Sequence, residues 1–184
     1  MIIFRQYALL AAFALLATAP ADAQAPSAAP AAIAPAKTKN WTPPSYKIFA
    51  QTLADQTMAE YPELLSVTFH GVPPGMDKVY TMFAGSFPER IGNADDPDDV
   101  DVITKGITIV DPRWRRVADN PKKFVVMTPL RDAKNDNIGL IVYAFRLDKN
   151  PGKGEREFFT AALSLRDALS ERIASYDALF AAAK

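Results

Sequence analysis

The chain has no cysteine. That excludes disulfides, thiol nucleophiles, thiolate-held metal clusters, covalent c-type haem and lipid attachment at a lipobox cysteine. It has a single histidine, His70, so no second imidazole stands by to complete a transition-metal site. It has no charge imbalance: 21 basic and 21 acidic side chains leave a formal net charge of zero, which removes the electrostatic case for nucleic acid. It has no internal repeat and no glycine-rich phosphate loop. Stability must therefore come from an apolar core, and a chain of 184 residues is long enough to build one in a single domain.

What is present begins with an export signal. Arg5 precedes an apolar run over 7–19, Pro20 breaks that run, and Ala21-Asp22-Ala23 has the small-x-small pattern that a signal peptidase accepts. The run falls short of the about 20 residues of a membrane span. Residues 1–23 therefore read as a signal peptide, cleaved before Gln24, and the mature chain as periplasmic or secreted. Residues 24–40 are rich in Ala and Pro with few large apolar side chains, which predicts a flexible leader. Residues 41–184 read as one domain. No later segment is a membrane-span candidate, because Arg166, Asp167, Glu171, Arg172 and Asp177 interrupt the Ala/Leu-rich C-terminal region.

Within the domain, Ser45 is a candidate N-cap. Ile48, Phe49, Leu53, Thr57 and Met58 follow at helical spacing, and Pro62 stops the helix. A strand is expected over 64–72, with Leu65, Val67 and Phe69 on one face and Ser66, Thr68 and His70 on the other. Pro73-Pro74-Gly75 marks a turn, and 78–84 reads as a second strand. Asp96 and Pro97 open a short helix that Gly106 closes. Residues 107–110 form a short extended piece. From 155 to 182, Phe158, Ala162, Leu165, Leu169, Ile173, Tyr176 and Phe180 recur at intervals of three and four, predicting one long helix. Packing on the domain's own sheet or N-terminal helix is the usual explanation of such a stripe, and one of that length can also outrun the domain and pair with a second copy of the chain.

Residues 124–147, FVVMTPLRDAKNDNIGLIVYAFRL, carry the strongest local pattern. Two apolar runs flank a turn rich in Asp, Lys and Asn, and Pro129 places the end or an open edge of the first strand. The second run is apolar almost throughout, as in a strand covered on both faces. The wording "PLRDAKNDNIGLIVYAF" resembles the closing hairpin of Cache and PAS-like sensor domains. The stretch ERIGNADDPDDVDVITKGITIVDP is loosely similar to the segment before the third strand of such domains. The resemblance implies an α+β fold, a PAS/Cache-like antiparallel five-stranded sheet flanked by an N-terminal helix and a long C-terminal helix. It also implies small-ligand sensing with no cofactor, and room for the ligand between the sheet face and the helical connection.

Candidate site residues follow from chemistry and from that resemblance. Arg113, Trp114, Arg115 and Arg116 put guanidinium forks beside an indole, which suits a carboxylate-bearing or aromatic ligand. The candidate ligand contacts are Arg113, Trp114, Arg115, Tyr80 and Tyr143; the two tyrosines on strands are more simply explained as core. His70 reads as a surface or pocket-wall residue. Asp95, Asp96, Asp98, Asp99 and Asp101 cluster densely, but an EF-hand count from Asp95 puts Val100 and Gly106 where Gly and Glu are needed. Those acids are better explained by capping a helix, so no metal is expected. With no recognisable nucleophile–base set, catalysis is not expected, a carboxylate-based hydrolase being the remaining enzymatic option. The expected function is a soluble periplasmic sensor or binding module that takes a small organic ligand and signals to a separate membrane partner. The alternative is an envelope protein–protein interaction module acting through its C-terminal helix.

Overall fold

The computed structural model describes residues 38–110 and 122–183, and the account below is of those residues. Five antiparallel strands form one sheet in the order β2-β1-β5-β4-β3. The strands are β1 (Leu64–Gly71), β2 (Thr81–Gly85), β3 (Ile109–Val110), β4 (Lys123–Arg131) and β5 (Asn137–Arg146). Three α-helices accompany them: α1 (Phe49–Glu60), α2 (Pro97–Lys105) and α3 (Glu155–Ser170). The coarse expectation of an α+β chain with a five-stranded antiparallel sheet thus holds.

The hairpin β4–β5 is the backbone of the sheet, and β5 is its central strand. Asp132 makes the turn: its Oδ1 accepts from the Lys134 and Asp136 amides at 2.9 and 3.0 Å. Asn135 takes a positive φ of 67°, a conformation Asn tolerates well. Pro129 does not end β4, which runs on to Arg131. Strand β3 pairs only with Val126 and Met127, so Pro129 lies where β4 has an open edge on that side.

One face of the sheet carries the main core. Val67 and Phe69 of β1, Phe124 and Val126 of β4, and Ile141, Tyr143 and Phe145 of β5 pack there under α1 and α3. Helix α1 turns Ala50, Leu53, Ala54 and Thr57 inward, a three-and-four spacing that makes one stripe. Its N-cap is Ile48, not Ser45. The amide of Phe49 is instead satisfied by the carbonyl of Ala181, 2.8 Å away.

The C-terminal region departs from the expected single helix. Helix α3 ends at Ser170, a turn and an irregular stretch follow over 171–175, and a short 3-10 turn comes at Asp177–Phe180. The intervals of three and four continue through this break because both segments bury residues in the same core. Phe158, Ala162, Ile173 and Leu179 are all buried there. Ala183 then donates to the Lys47 carbonyl at 2.8 Å, and Tyr176 Oη donates to the Val72 carbonyl at 2.7 Å. Much of the stripe thus packs on the domain itself, with Leu165, Tyr176 and Phe180 half-buried against the core. On α3 the exposed large apolar residue is Phe159.

Among the described residues, the opposite face is only partly covered. Helix α2 lays Val102 against Val125, Met127, Leu140 and Ala144, forming a second, smaller core. The helix is built as its sequence indicates. The Asp96 amide donates to Asp99 Oδ2 at 2.9 Å, Pro97 starts the first turn, and Gly106 closes the helix in the left-handed region at φ 66°. Asn137, at the start of β5, donates its side-chain amide to the Ile103 carbonyl at 2.9 Å and ties the end of α2 to the hairpin.

Candidate functional site

Beside α2, the uncovered part of this face forms a cleft of about 370 Å³. Its floor is strand β1, which presents Ser66, Thr68 and His70, the polar set that the two-residue alternation places on one face. Apolar walls come from Met82, Phe87, Val125 and Val142, and Arg90 stands at the side with its guanidinium 5.2 Å from the Phe87 ring centre.

Asp95 completes the floor. The segment around it runs along the outer edge of β2: Met82 donates to the Asn93 carbonyl at 3.1 Å, and Asp95 donates to the Tyr80 carbonyl at 3.1 Å. That pairing fixes Asp95 over β1. Its Oδ1 lies 2.7 Å from His70 Nδ1, and His70 Nε2 lies 2.8 Å from Thr68 Oγ1. The neutral imidazole that serves both contacts carries its proton on Nδ1, donates to Asp95 and accepts from the Thr68 hydroxyl. The His70 and Asp95 side chains are 9% and 1% exposed. Strand β5 crowds His70 from behind: a Cβ on Gly139, whose φ is +156°, would sit 2.7 Å from the His70 carbonyl oxygen. The other carboxylate oxygen, Asp95 Oδ2, is buried and has no hydrogen-bond partner among the described residues.

This arrangement can be tested against three chemistries. His70, Asp95 and Asp99 bring candidate metal-ligand atoms within 4.8 Å of one another. The 2.7 Å between His70 and Asp95, however, is a hydrogen bond. Two ligands of a tetrahedral ion with bonds near 2.0–2.1 Å stand roughly 3.3 Å apart. Asp99 Oδ2 already accepts the Asp96 amide. His70 and Asp95 as placed therefore do not fit two positions of a tetrahedral metal centre. Carboxylate, imidazole and hydroxyl in series also follow the order of an activated nucleophile. Here the hydroxyl belongs to Thr68, a β-branched residue in mid-strand that is 6% exposed, which leaves little room for attack on a carbonyl carbon. The third chemistry is non-covalent capture. A cleft in the size range of small-molecule sites, apolar at the walls and polar at the floor, has the composition such sites need.

Of the residues expected from sequence, Arg113, Trp114 and Arg115 lie outside the described residues. Tyr80 contributes its carbonyl, which holds Asp95, and its ring is not part of the cleft wall. Tyr143 faces the helix-covered side, fully buried beside Phe145, and is a core residue rather than a ligand contact. The Thr68–His70 half of the site follows from strand alternation. Asp95 does not, because it comes from 25 residues away and reaches His70 only through the edge pairing with β2. The one usable signal was a lone histidine in a chain that also places a run of acids before a helix.

No family model, no curated protein and no solved structure matches this chain.

Proposed function

We propose that the protein is an exported small-ligand binding or sensing module of Cache/PAS-like type, which holds its ligand in the cleft over β1 and passes the bound state to a separate membrane partner. The observation that carries this reading is the Asp95–His70–Thr68 chain at the floor of an open cleft. A buried carboxylate–imidazole pair is costly to desolvate, and such pairs concentrate where a protein binds or reacts. Two further points support the reading. The hairpin that resembles the sensor family supplies the central strand. The cleft lies between the sheet face and the helical connection that contains α2, where the resemblance leaves room for a ligand.

The test is a thermal-shift screen of organic acids, amino acids, amines and purines on the wild type and on Val142→Trp. Val142 is half-buried in the cleft wall, so an indole there projects into the open space. A ligand at a hundred times its dissociation constant adds about 2.7 kcal/mol. The expected outcome is a stabilising compound whose effect Val142→Trp abolishes. A screen without a stabilising compound, or binding that Val142→Trp leaves intact, overturns the reading.

A further inference from the structure

Asp95 Oδ2 is the one feature of the cleft that the fold leaves unfinished. A carboxylate oxygen taken out of water without a donor is destabilising, and among the described residues nothing reaches it. Its partner oxygen is held by His70, and with the neutral imidazole the pair carries one net negative charge at the cleft floor. Both ring nitrogens are in use, so His70 can neither donate a second time nor open a lone pair toward the cleft.

We propose that the cleft is built to take a protonated amine, the Asp95 side chain shifting to bring its closed-in Oδ2 to the ligand's ammonium group. This deepens the reading of the cleft as a ligand site and rests on it. An ammonium has three donors and no acceptor, so it needs a group of acceptors and a counter-charge. Asp95 supplies the charge and the first acceptor. The Thr68 hydroxyl, which gives its proton to His70 Nε2, keeps lone pairs to accept with, and Ser66 places a further hydroxyl on the same strand face. A neutral donor such as an alcohol could satisfy the oxygen but would leave the charge uncompensated. A divalent ion would have to break the 2.7 Å hydrogen bond to gain a nitrogen ligand. The apolar walls at Met82, Val125 and Val142 suit a hydrocarbon body behind the ammonium.

The test compares matched amines and alcohols by titration calorimetry on the purified protein: butylamine with 1-butanol, putrescine with 1,4-butanediol, and 2-phenylethylamine with 2-phenylethanol. The expected result is that at least one amine binds at least about thirty-fold more tightly than its alcohol, the low end of what a buried charge pair contributes. Asp95→Asn, which keeps shape and removes charge, brings amine and alcohol to within a few-fold of each other. The wild-type preference stands as a measurement on its own if Asp95→Asn does not fold. Equal binding of each pair, no binding by any of the three amines, or a preference that survives in Asp95→Asn overturns the proposal. So does zinc or magnesium chloride binding that displaces the amine and is lost with Asp95. Alcohol binding that Val142→Trp blocks, without any preference for the amine, keeps the cleft as a ligand site and removes only its amine chemistry.

Discussion

Two tyrosines show how differently one side chain can be used. Tyr176 ties its hydroxyl to the Val72 carbonyl at 2.7 Å, whereas the Tyr143 hydroxyl is buried with no partner. Tyr143→Phe removes an uncompensated polar group at constant shape. It is expected to stabilise by about 1 kcal/mol, read as a rise of about 2–4 °C in melting temperature. Tyr176→Phe removes a made bond and is expected to lower the melting temperature by a similar amount. Burial also pushes both phenols well above the ordinary tyrosine range; for Tyr143 the Arg166 guanidinium opposes that effect without overcoming it. The folded-state value of each lies above the unfolded value near 10, so only the unfolded chain ionises first as the solution becomes alkaline. Stability from these groups is therefore whole below about pH 10 and declines above it. Urea titrations between neutral pH and pH 11 should show that decline, and it should be shallower in Tyr143→Phe.

At the scale of elements, α2 is the clearest case of a helix written locally. Asp96, Pro97, Asp99 and Gly106 occupy cap, first-turn and closing positions, and each can be read without tertiary information. Gly106→Ala forces a Cβ into the left-handed region at φ 66°, with Asn137 Nδ2 only 3.5 Å from the new carbon. The expected cost is about 1–2 kcal/mol by urea denaturation, and Gly106→Asn should recover part of it. The end of α3 shows the opposite situation. Nothing between Ser170 and Ile173 breaks helical periodicity, since Leu169 and Ile173 are both core residues at a helical interval. The helix end there is set by what the chain meets beyond it, including the Ala133 amide that donates to the Ile173 carbonyl at 2.8 Å. The site divides in the same way. Thr68 and His70 share a face by local geometry, whereas Asp95 is brought in by the pairing of Thr81 with Ala94, a contact between segments that no local pattern announces.

The whole molecule is held shut by contacts that are distant in sequence. The last described residues serve as part of the first helix: Ala181 accepts the Phe49 amide, Ile48 bridges to Ala182, and Leu179 is fully buried. Deleting 176–184 therefore removes the partner of an N-terminal amide of α1, the Tyr176 anchor and a buried leucine together. Loss of a buried leucine side chain alone costs about 2–5 kcal/mol. The shortened chain is expected to lose its cooperative thermal transition by circular dichroism. Retention of a wild-type transition by the shortened chain would mean that α1 is stable without its distant partner.

That closure also bears on the making of the protein. A helix near the start of the domain whose first amide is completed by Ala181 cannot be finished while those residues are still inside the ribosome. Domains fold as units during synthesis, at about 5–20 residues per second, so this one must wait until Ala181 and Ala183 have emerged. The interval during which the nascent domain remains unfolded is then set by the arrival of residues 179–183, long after α1 itself has been made.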